Sequence, residues 1–270
     1  MNIAIVVSTE NYAGLNIKEN LIKLFHFKKT SETFDNHDIY YLNKIKIYTT
    51  DNKLIFYENI DKKIHADLFI FATTHKSEKN VNSLSLHSIG NFNKAELGGK
   101  DNTLVPVFTS FMKLAFIELN NKGKNSPYEI TQEATHHGPF LEKPSMFIEI
   151  GSSEKQWQDK EAGSIIAKTI INALEKNIPK YKIAVALGGN HYCSNFNKIM
   201  LNSNTAISFI CPKFNLQYLD ESLLKQMIKK TTEKLDFILL DWKGLGQEKQ
   251  KILDLINKLN LEYKRTDKLN

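Results

Sequence analysis

Arginine is almost missing from this chain. Of its 36 basic residues, only Arg265 is an arginine and the other 35 are lysines. Bidentate reading of guanine edges depends on the arginine fork. A nucleic-acid partner would therefore be held through phosphates and shape, with little base reading. Cysteine is just as scarce. Cys193 and Cys211 form no CxxC pair, which excludes a disulfide framework and a cysteine-based zinc site and points to a reducing cytoplasm. No apolar run approaches the roughly 20 residues of a membrane helix. The apolar stretch Ile3–Val7 has no basic flank before it, so it reads as a first buried strand and not as a signal peptide. No GxSxG elbow, P-loop, GxGxxG or HExxH is found, which removes the commonest signatures of serine hydrolases, nucleotide binders and zincin peptidases. Repeats, linkers and low-complexity tracts are absent too.

What remains is an ordinary globular composition. The 270 residues are 41% hydrophobic and 24% charged, with a net charge of +6. The length suits one large α/β domain or two small ones; with no composition break, residues 1–270 read as one. The modest basic excess permits a polyanionic partner without demanding one.

Apolar runs of strand length alternate with segments of helical period. The predicted strands run over 2–8, 67–72, 128–135, 146–151, 181–187, 206–211 and 236–241, with a hairpin of 39–49 and 53–57 turning at Asp51-Asn52. Predicted helices run over 17–25, 107–120, 154–176, 194–201, 222–234 and 247–259. In the third, Ser153 and Gln156 form a capping box, and Ile165, Ile166, Ile170 and Leu174 keep one apolar stripe. Several strands are apolar on both faces, as in a covered parallel sheet. The expected fold is α/β: a three-layer α/β/α sandwich with a mostly parallel mixed sheet.

Ligands gather beyond the carboxyl ends of strands in such sheets. Five of the eight histidines, His75, His87, His136, His137 and His191, fall in predicted post-strand segments. Thr135-His-His-Gly-Pro139 places two imidazoles before a turn. On an extended segment they would face opposite ways, one into the site and one in support. Gly188-Gly-Asn-His-Tyr192 follows an apolar strand, and its paired glycines allow close backbone approach to a ligand. His136 and His191 sit on separate strand ends and can converge on one metal or one substrate. Glu149 interrupts a buried strand; it either meets a lysine, histidine or metal or sits at an edge facing water. Glu133 and Glu96 carry the same ambiguity more weakly. Gly151-Ser-Ser153 at a helix start can favour an anion or simply cap the helix. Lys76 and Ser77 after His75 can touch a phosphate or carboxylate, or lie in solvent. Cys193 reads as a small buried filler.

Taken together, His87-Ser-Ile-Gly-Asn91, Thr135-His-His-Gly-Pro139, Ile150-Gly-Ser-Ser-Glu154 with Trp157, and Gly188-Gly-Asn-His-Tyr192 resemble the D-aminoacyl-tRNA deacylase family of the archaeal and plant type. The resemblance runs nearly end to end. It implies a phosphorylase/hydrolase-like α/β fold, hydrolysis of the ester joining a D-amino acid to the tRNA 3′ end, and zinc as cofactor. By position, the family's marked residues fall on His87, Gly90, Asn91, His136, His137, Gly138, Pro139, Glu149, Gly151, His191 and Tyr192. The chain departs from the pattern at Ser88, where a proline is usual, and at Ser194-Asn195, where a basic residue is usual and Lys198 lies close by.

The resulting expectations are specific. His136, His137 and His191 are candidate catalytic residues. His75, Lys76, Asn91, Gly138, Ser152, Gly188, Gly189 and Tyr192 are candidate substrate contacts. His87, His136, Glu149 and His191 are candidate zinc ligands. Three routes to the ester stay open: a metal-activated water, a histidine base with backbone N–H groups as oxyanion hole, or assistance by the terminal 2′-hydroxyl. The rival readings are a zinc peptidase or amidase, a nucleoside phosphorylase-like enzyme, or a non-catalytic RNA-binding protein.

Overall fold

The computed structural model describes residues 1–76 and 81–269; Ser77 lies outside them. In chain order the strands are β1 (Ile3–Ser8), β2 (Lys28–Phe34), β3 (His37–Leu42), β4 (Ile45–Thr50), β5 (Leu68–Lys76), β6 (Ser83–His87), β7 (Gly90–Asn91), β8 (Thr103–Leu104), β9 (Glu129–Gln132), β10 (Ser145–Ser152), β11 (Lys182–Leu187), β12 (Thr205–Cys211), β13 (Phe237–Leu240) and β14 (Tyr263–Arg265). The helices are α1 (Tyr12–Phe25), α2 (Thr109–Gly123), α3 (Glu154–Trp157), α4 (Lys160–Glu175), α5 (Ser194–Asn202), α6 (Glu221–Lys230) and α7 (Lys249–Lys258).

The strands divide between two main sheets. The larger has the order β2-β3-β4-β1-β5-β10-β6-β9, and the smaller β12-β11-β13-β14. The smaller is parallel throughout. In the larger, β4, β1, β5 and β10 run parallel, while β6 turns antiparallel to β10 and β9 follows β6 in parallel. The fold is thus α/β, with a mostly parallel mixed sheet. Strand alternation splits its apolar residues into two layers. Ile3, Ile5, Val7, Ile70 and Ile148 face α1, α2 and α4, in a core that continues into the smaller sheet through Val185, Ile207 and Leu239. Ala4, Val6, Phe69, Phe71 and Phe147 face the other way, under Leu54, Tyr57, Ile60, Phe140 and Leu141. That second cover on the larger sheet is built largely from loops and short 3-10 turns.

Three local expectations are corrected. The hairpin is not 39–49 with 53–57. Instead β2, β3 and β4 form a meander turning at Asp35-Asn36 and Asn43-Lys44, where Asp35, Asn36 and Asn43 take the left-handed backbone that such turns require; residues 54–56 make a 3-10 turn. The long helix of 154–176 is broken into α3 and α4. Asp159 restarts it by accepting from the Glu161 N–H at 2.9 Å, while Asn16 takes the Trp157 and Asp159 carbonyls at 3.0 and 2.7 Å. Those tertiary hydrogen bonds outcompete one continuous helix. The Ser153 hydroxyl meets the Gln156 side chain rather than capping an N–H. Only one helical turn follows Gly151-Ser-Ser153, so the expected anion seat has little dipole behind it. Finally, β5 runs on to Lys76 and β6 ends on His87, so His75 and His87 are strand residues and not loop residues.

Candidate active site

Strand register gathers the first four groups. Phe147 pairs with His87, and Glu149 with both Thr73 and Ser85, while Gly151 pairs with His75. With a period of two, Phe147, Glu149, His75 and His87 share one face, the one turned away from α1 and α4. His87 lies flat on Phe147, the ring centroids 5.3 Å apart. Gly151 leaves room for the His75 ring: a Cβ there would lie 3.0 Å from its Cδ2 and 2.4 Å from the Ser83 hydroxyl.

The other groups arrive on the exit from β9 and on the loop after β11. This exit is stitched to the smaller sheet. The Ala134 N–H donates to the His191 carbonyl at 2.9 Å, and the Thr135 N–H to the Ile210 carbonyl at 3.1 Å. The Thr131 hydroxyl donates to the Tyr192 carbonyl at 2.8 Å. The site therefore sits on the seam between the two sheets.

Glu133 is the hub. Fully buried, it lies 2.9 Å from His191 Nε2, 3.3 Å from His75 Nδ1 and 3.9 Å from His136 Nε2. Glu149 lies 3.4 Å from His75 Nδ1 and 3.7 Å from His87 Nε2. The rings close over one another: His87 to His136 is 4.0 Å between centroids, His136 to His137 4.4 Å, and His136 to His191 4.8 Å. His136 and His191 form the open side, with side chains 27% and 33% exposed, while His87 is sealed.

Three histidines have their tautomer set by the backbone. Nδ1 of His87 faces the Ser88 carbonyl at 3.0 Å, that of His136 the Ala134 carbonyl at 2.7 Å, and that of His137 the Gly138 carbonyl at 2.6 Å. A carbonyl only accepts, so each Nδ1 carries the proton and each neutral ring keeps its lone pair on Nε2.

The environment then sorts the rings by charge. Burial opposes protonation of His75 and His87, but the adjacent Glu149 carboxylate, with Glu133 behind, outweighs it and raises both. His136 is pushed well down by burial, then by the neighbouring His87, His137 and His191. His137 is pushed down to about 4 by burial and by His87. Burial would raise Glu149, yet the His75 and His87 rings alongside it hold it at about 2. Glu133 is likewise lowered: burial opposes this, and the His191 hydrogen bond overcomes it. The cluster thus favours the proton on His75 and His87, beside two carboxylates held in their charged form, and disfavours it on His136 and His137.

Among the described residues, two groups bring ligand atoms within 4.8 Å of one another: His87, His136 and His137, and separately His75, Glu133 and His191. In the first, backbone carbonyls fix all three Nδ1–H groups and leave Nε2 as the ligand atom of each ring once it is neutral. Buried His87 Nε2, His75 Nε2 and Glu133 Oε1 have no hydrogen-bond partner among the described residues. Three imidazoles, or two with a carboxylate, suit zinc and leave a fourth position open.

The sequence profile of D-aminoacyl-tRNA deacylases matches residues 62–264. This chain belongs to the D-aminoacyl-tRNA deacylase family. The D-aminoacyl-tRNA deacylase of Pyrococcus furiosus is 41% identical over 262 residues, spanning 93% of this chain and 95% of its own. That of Thermococcus onnurineus is 38% identical, spanning 97% and 98%. A solved structure described as a conserved protein of unknown function superposes with a TM-score of 0.91 at 28% identity, over 99% of this chain and 96% of the other.

Within this deacylase-family chain, the convergence expected of His87, His136 and His191 is found. The four-residue ligand set is regrouped: His87 and His136 stand with His137, His191 stands with His75 and Glu133, and Glu149 pairs with His75 and His87. The expectation that His136 and His137 face apart is corrected. His137 has a left-handed φ of 45°, so the chain bends sharply and both rings enter the cluster. Asn91 is occupied in holding a loop, its amide donating to the Gly98 and Lys100 carbonyls at 2.9 and 3.4 Å. Gly138 serves backbone packing, since a Cβ there would lie 2.2 Å from the Gly99 nitrogen. Gly188 and Gly189 turn the chain beside Asp241 and lead to His191 and Tyr192. The Tyr192 ring lies 5.5 Å from His191 and 6.2 Å from His75. Lys76 is exposed at the end of β5, paired in register with buried Ser152. The residue underestimated from sequence is Glu133. Its signal is a carboxylate just past a strand end, three positions before His136.

Proposed function

We propose that this chain hydrolyses the ester linking a D-amino acid to the 3′ end of tRNA, releasing the free D-amino acid and the tRNA, as quality control of mischarged tRNA. The observation that carries the reading is the seam cluster of five histidines and two carboxylates, in a chain of the deacylase family over nearly its whole length. Ester hydrolysis needs a proton acceptor for water and positive charge near the developing oxyanion. His136 meets the first need: it is uncharged, its Nδ1–H is fixed on Ala134, which leaves Nε2 as the basic atom, and its side chain is partly exposed. His75 meets the second, its protonated form favoured by Glu133 and Glu149. Glu133 holds His191 in place. Preference for the D form requires a pocket in which the L side chain clashes.

Zinc fits this reading. His87, His136 and His137 would hold it, or His75, Glu133 and His191. When bound, it acidifies water and polarises a carbonyl.

Phosphates of the acceptor end would meet lysines, with little sequence preference. We read residues 1–270 as one domain, supported by the apolar core common to both sheets. Among the described residues no helix is long and apolar enough to cross a membrane, and both cysteines are free and buried; with a tRNA substrate, these features favour the cytoplasm. The deciding experiment compares release of D-tyrosine and L-tyrosine from matched charged tRNAs, with and without chelator. Release of the D form alone is expected. Equal release, or none from either, overturns the reading; salt-sensitive binding without turnover would indicate an RNA-binding protein.

A further inference from the structure

The smaller sheet carries a cavity of its own at its carboxyl edge. About 490 Å³ in volume, it is lined by Gly189, Asn190, Lys213, Phe214, Leu245 and Gln247, among others. Its walls are the turns after β11, β12 and β13. They are tied together: the Lys213 N–H donates to the Gly189 carbonyl at 2.9 Å, and Lys251 Nζ holds the Leu216 and Gln217 carbonyls at 3.1 and 2.7 Å. The volume lies in the range of small-ligand sites. Phe214, on the cavity wall, is 55% exposed.

We propose that this cavity seats the terminal adenosine of the aminoacylated tRNA, with its base stacked on Phe214. The inference rests on the deacylase reading, because the ester to be cleaved is on that adenosine's ribose. Asn190 lines the cavity, and the next residue, His191, belongs to the histidine cluster. Consecutive Cα atoms lie about 3.8 Å apart, so one nucleoside can bridge cavity and cluster. An exposed aromatic is the usual platform for an unstacked base. Gln247 supplies the amide that matches the adenine edge, and Lys213 supplies positive charge for the adjoining phosphate. A second cavity, of about 500 Å³, is lined by Lys198, Asp241, Trp242 and Lys243. None of its lining residues is a chain neighbour of a cluster histidine, and Lys249 and Arg265 already cover its Trp242 ring.

The test titrates the full-length protein with adenosine 5′-monophosphate, followed by amide chemical shifts. The largest shifts are expected at Gly189, Asn190, Phe214 and Gln247, with affinity about 10-fold lower in Phe214→Ala and restored in Phe214→Trp. With D-tyrosyl-tRNA, Phe214→Ala should raise KM by a similar factor with kcat within about twofold. Shifts centred on Trp242, no binding at all, or a Phe214→Ala variant that binds like the wild type would each overturn the proposal. If the wild type binds the nucleotide at Phe214 yet releases no D-amino acid, the deacylase reading fails while the nucleoside seat stands.

Discussion

The imidazoles of His87 and His136 stack with their centroids 4.0 Å apart, and their surroundings drive their protonation in opposite directions. His87 backs onto Glu149 and is raised, while His136 feels the His87 charge on top of its own burial and is lowered. Two stacked imidazolium cations would repel at short range, so the proton on the sealed ring helps keep the ring at the opening free as a base.

His136→Ala should therefore lower single-turnover release of D-tyrosine by about 100-fold or more, the range for a lost general base, with the melting temperature near wild type. His137→Ala should also be impaired, because its ring lies 4.9 Å from His87 and 4.8 Å from Phe147 inside the same cluster. A His136→Ala protein that cleaves at the wild-type rate removes the catalytic assignment.

Glu133→Gln tests the hub. Removing this charge leaves His75 with Glu149 alone and loosens His191. Breaking a buried pair from one side costs about 3–5 kcal/mol, so a drop of several degrees in melting temperature is expected beside a loss of turnover. Calorimetry on wild type and variant reads this directly, and coincident transitions would mean that Glu133 carries no such load.

Stability should pass through a maximum near the ordinary histidine pKa of about 6.5. Below it, the lowered His136 and His137 resist protons that the unfolded chain accepts, so stability falls with pH down toward the folded value of about 4 for His137. Above it, the raised His75 and His87 lose the advantage of their protons as pH climbs through their folded values. Each linked proton contributes about 1.4 kcal/mol per pH unit. Melting temperatures of metal-free protein from pH 4 to 9 check this, and His137→Asn should flatten the acid limb. A profile that rises or falls throughout would contradict the charge sorting.

Zinc added to metal-stripped protein should raise its melting temperature and release protons, since imidazole must be deprotonated to ligate. His87→Ala should abolish the larger part of that gain if the ion sits on His87, His136 and His137; Glu133→Gln should do so if it sits on the other group. No gain in wild type at zinc levels that saturate ordinary three-ligand sites would remove zinc from the reading.

Much of this molecule follows from local pattern. The two-sided apolar runs Ile3–Val7, Ile183–Leu187 and Phe237–Leu240 are buried strands because nothing in them tolerates water. The His-His-Gly-Pro and Gly-Gly-Asn-His-Tyr segments mark the site because they put reactive rings beside strand ends, and their order already resembles one deacylase family. Other features depend on partners distant in sequence. Asp159 breaks a helix of regular period because Asn16 and Tyr128 reach it from other elements. His75 and His87 are strand residues because β10 supplies register partners for both. Glu133 is a carboxylate like Glu96 until folding buries it among three histidines. The sequence by itself determined the α/β class, the family and the candidate histidines, since hydrophobic period and motif order are local properties. Only the tertiary structure decided which ring is sealed, which is open and which carries the proton, because those depend on desolvation and on charges that the seam between the two sheets brings within 4 Å.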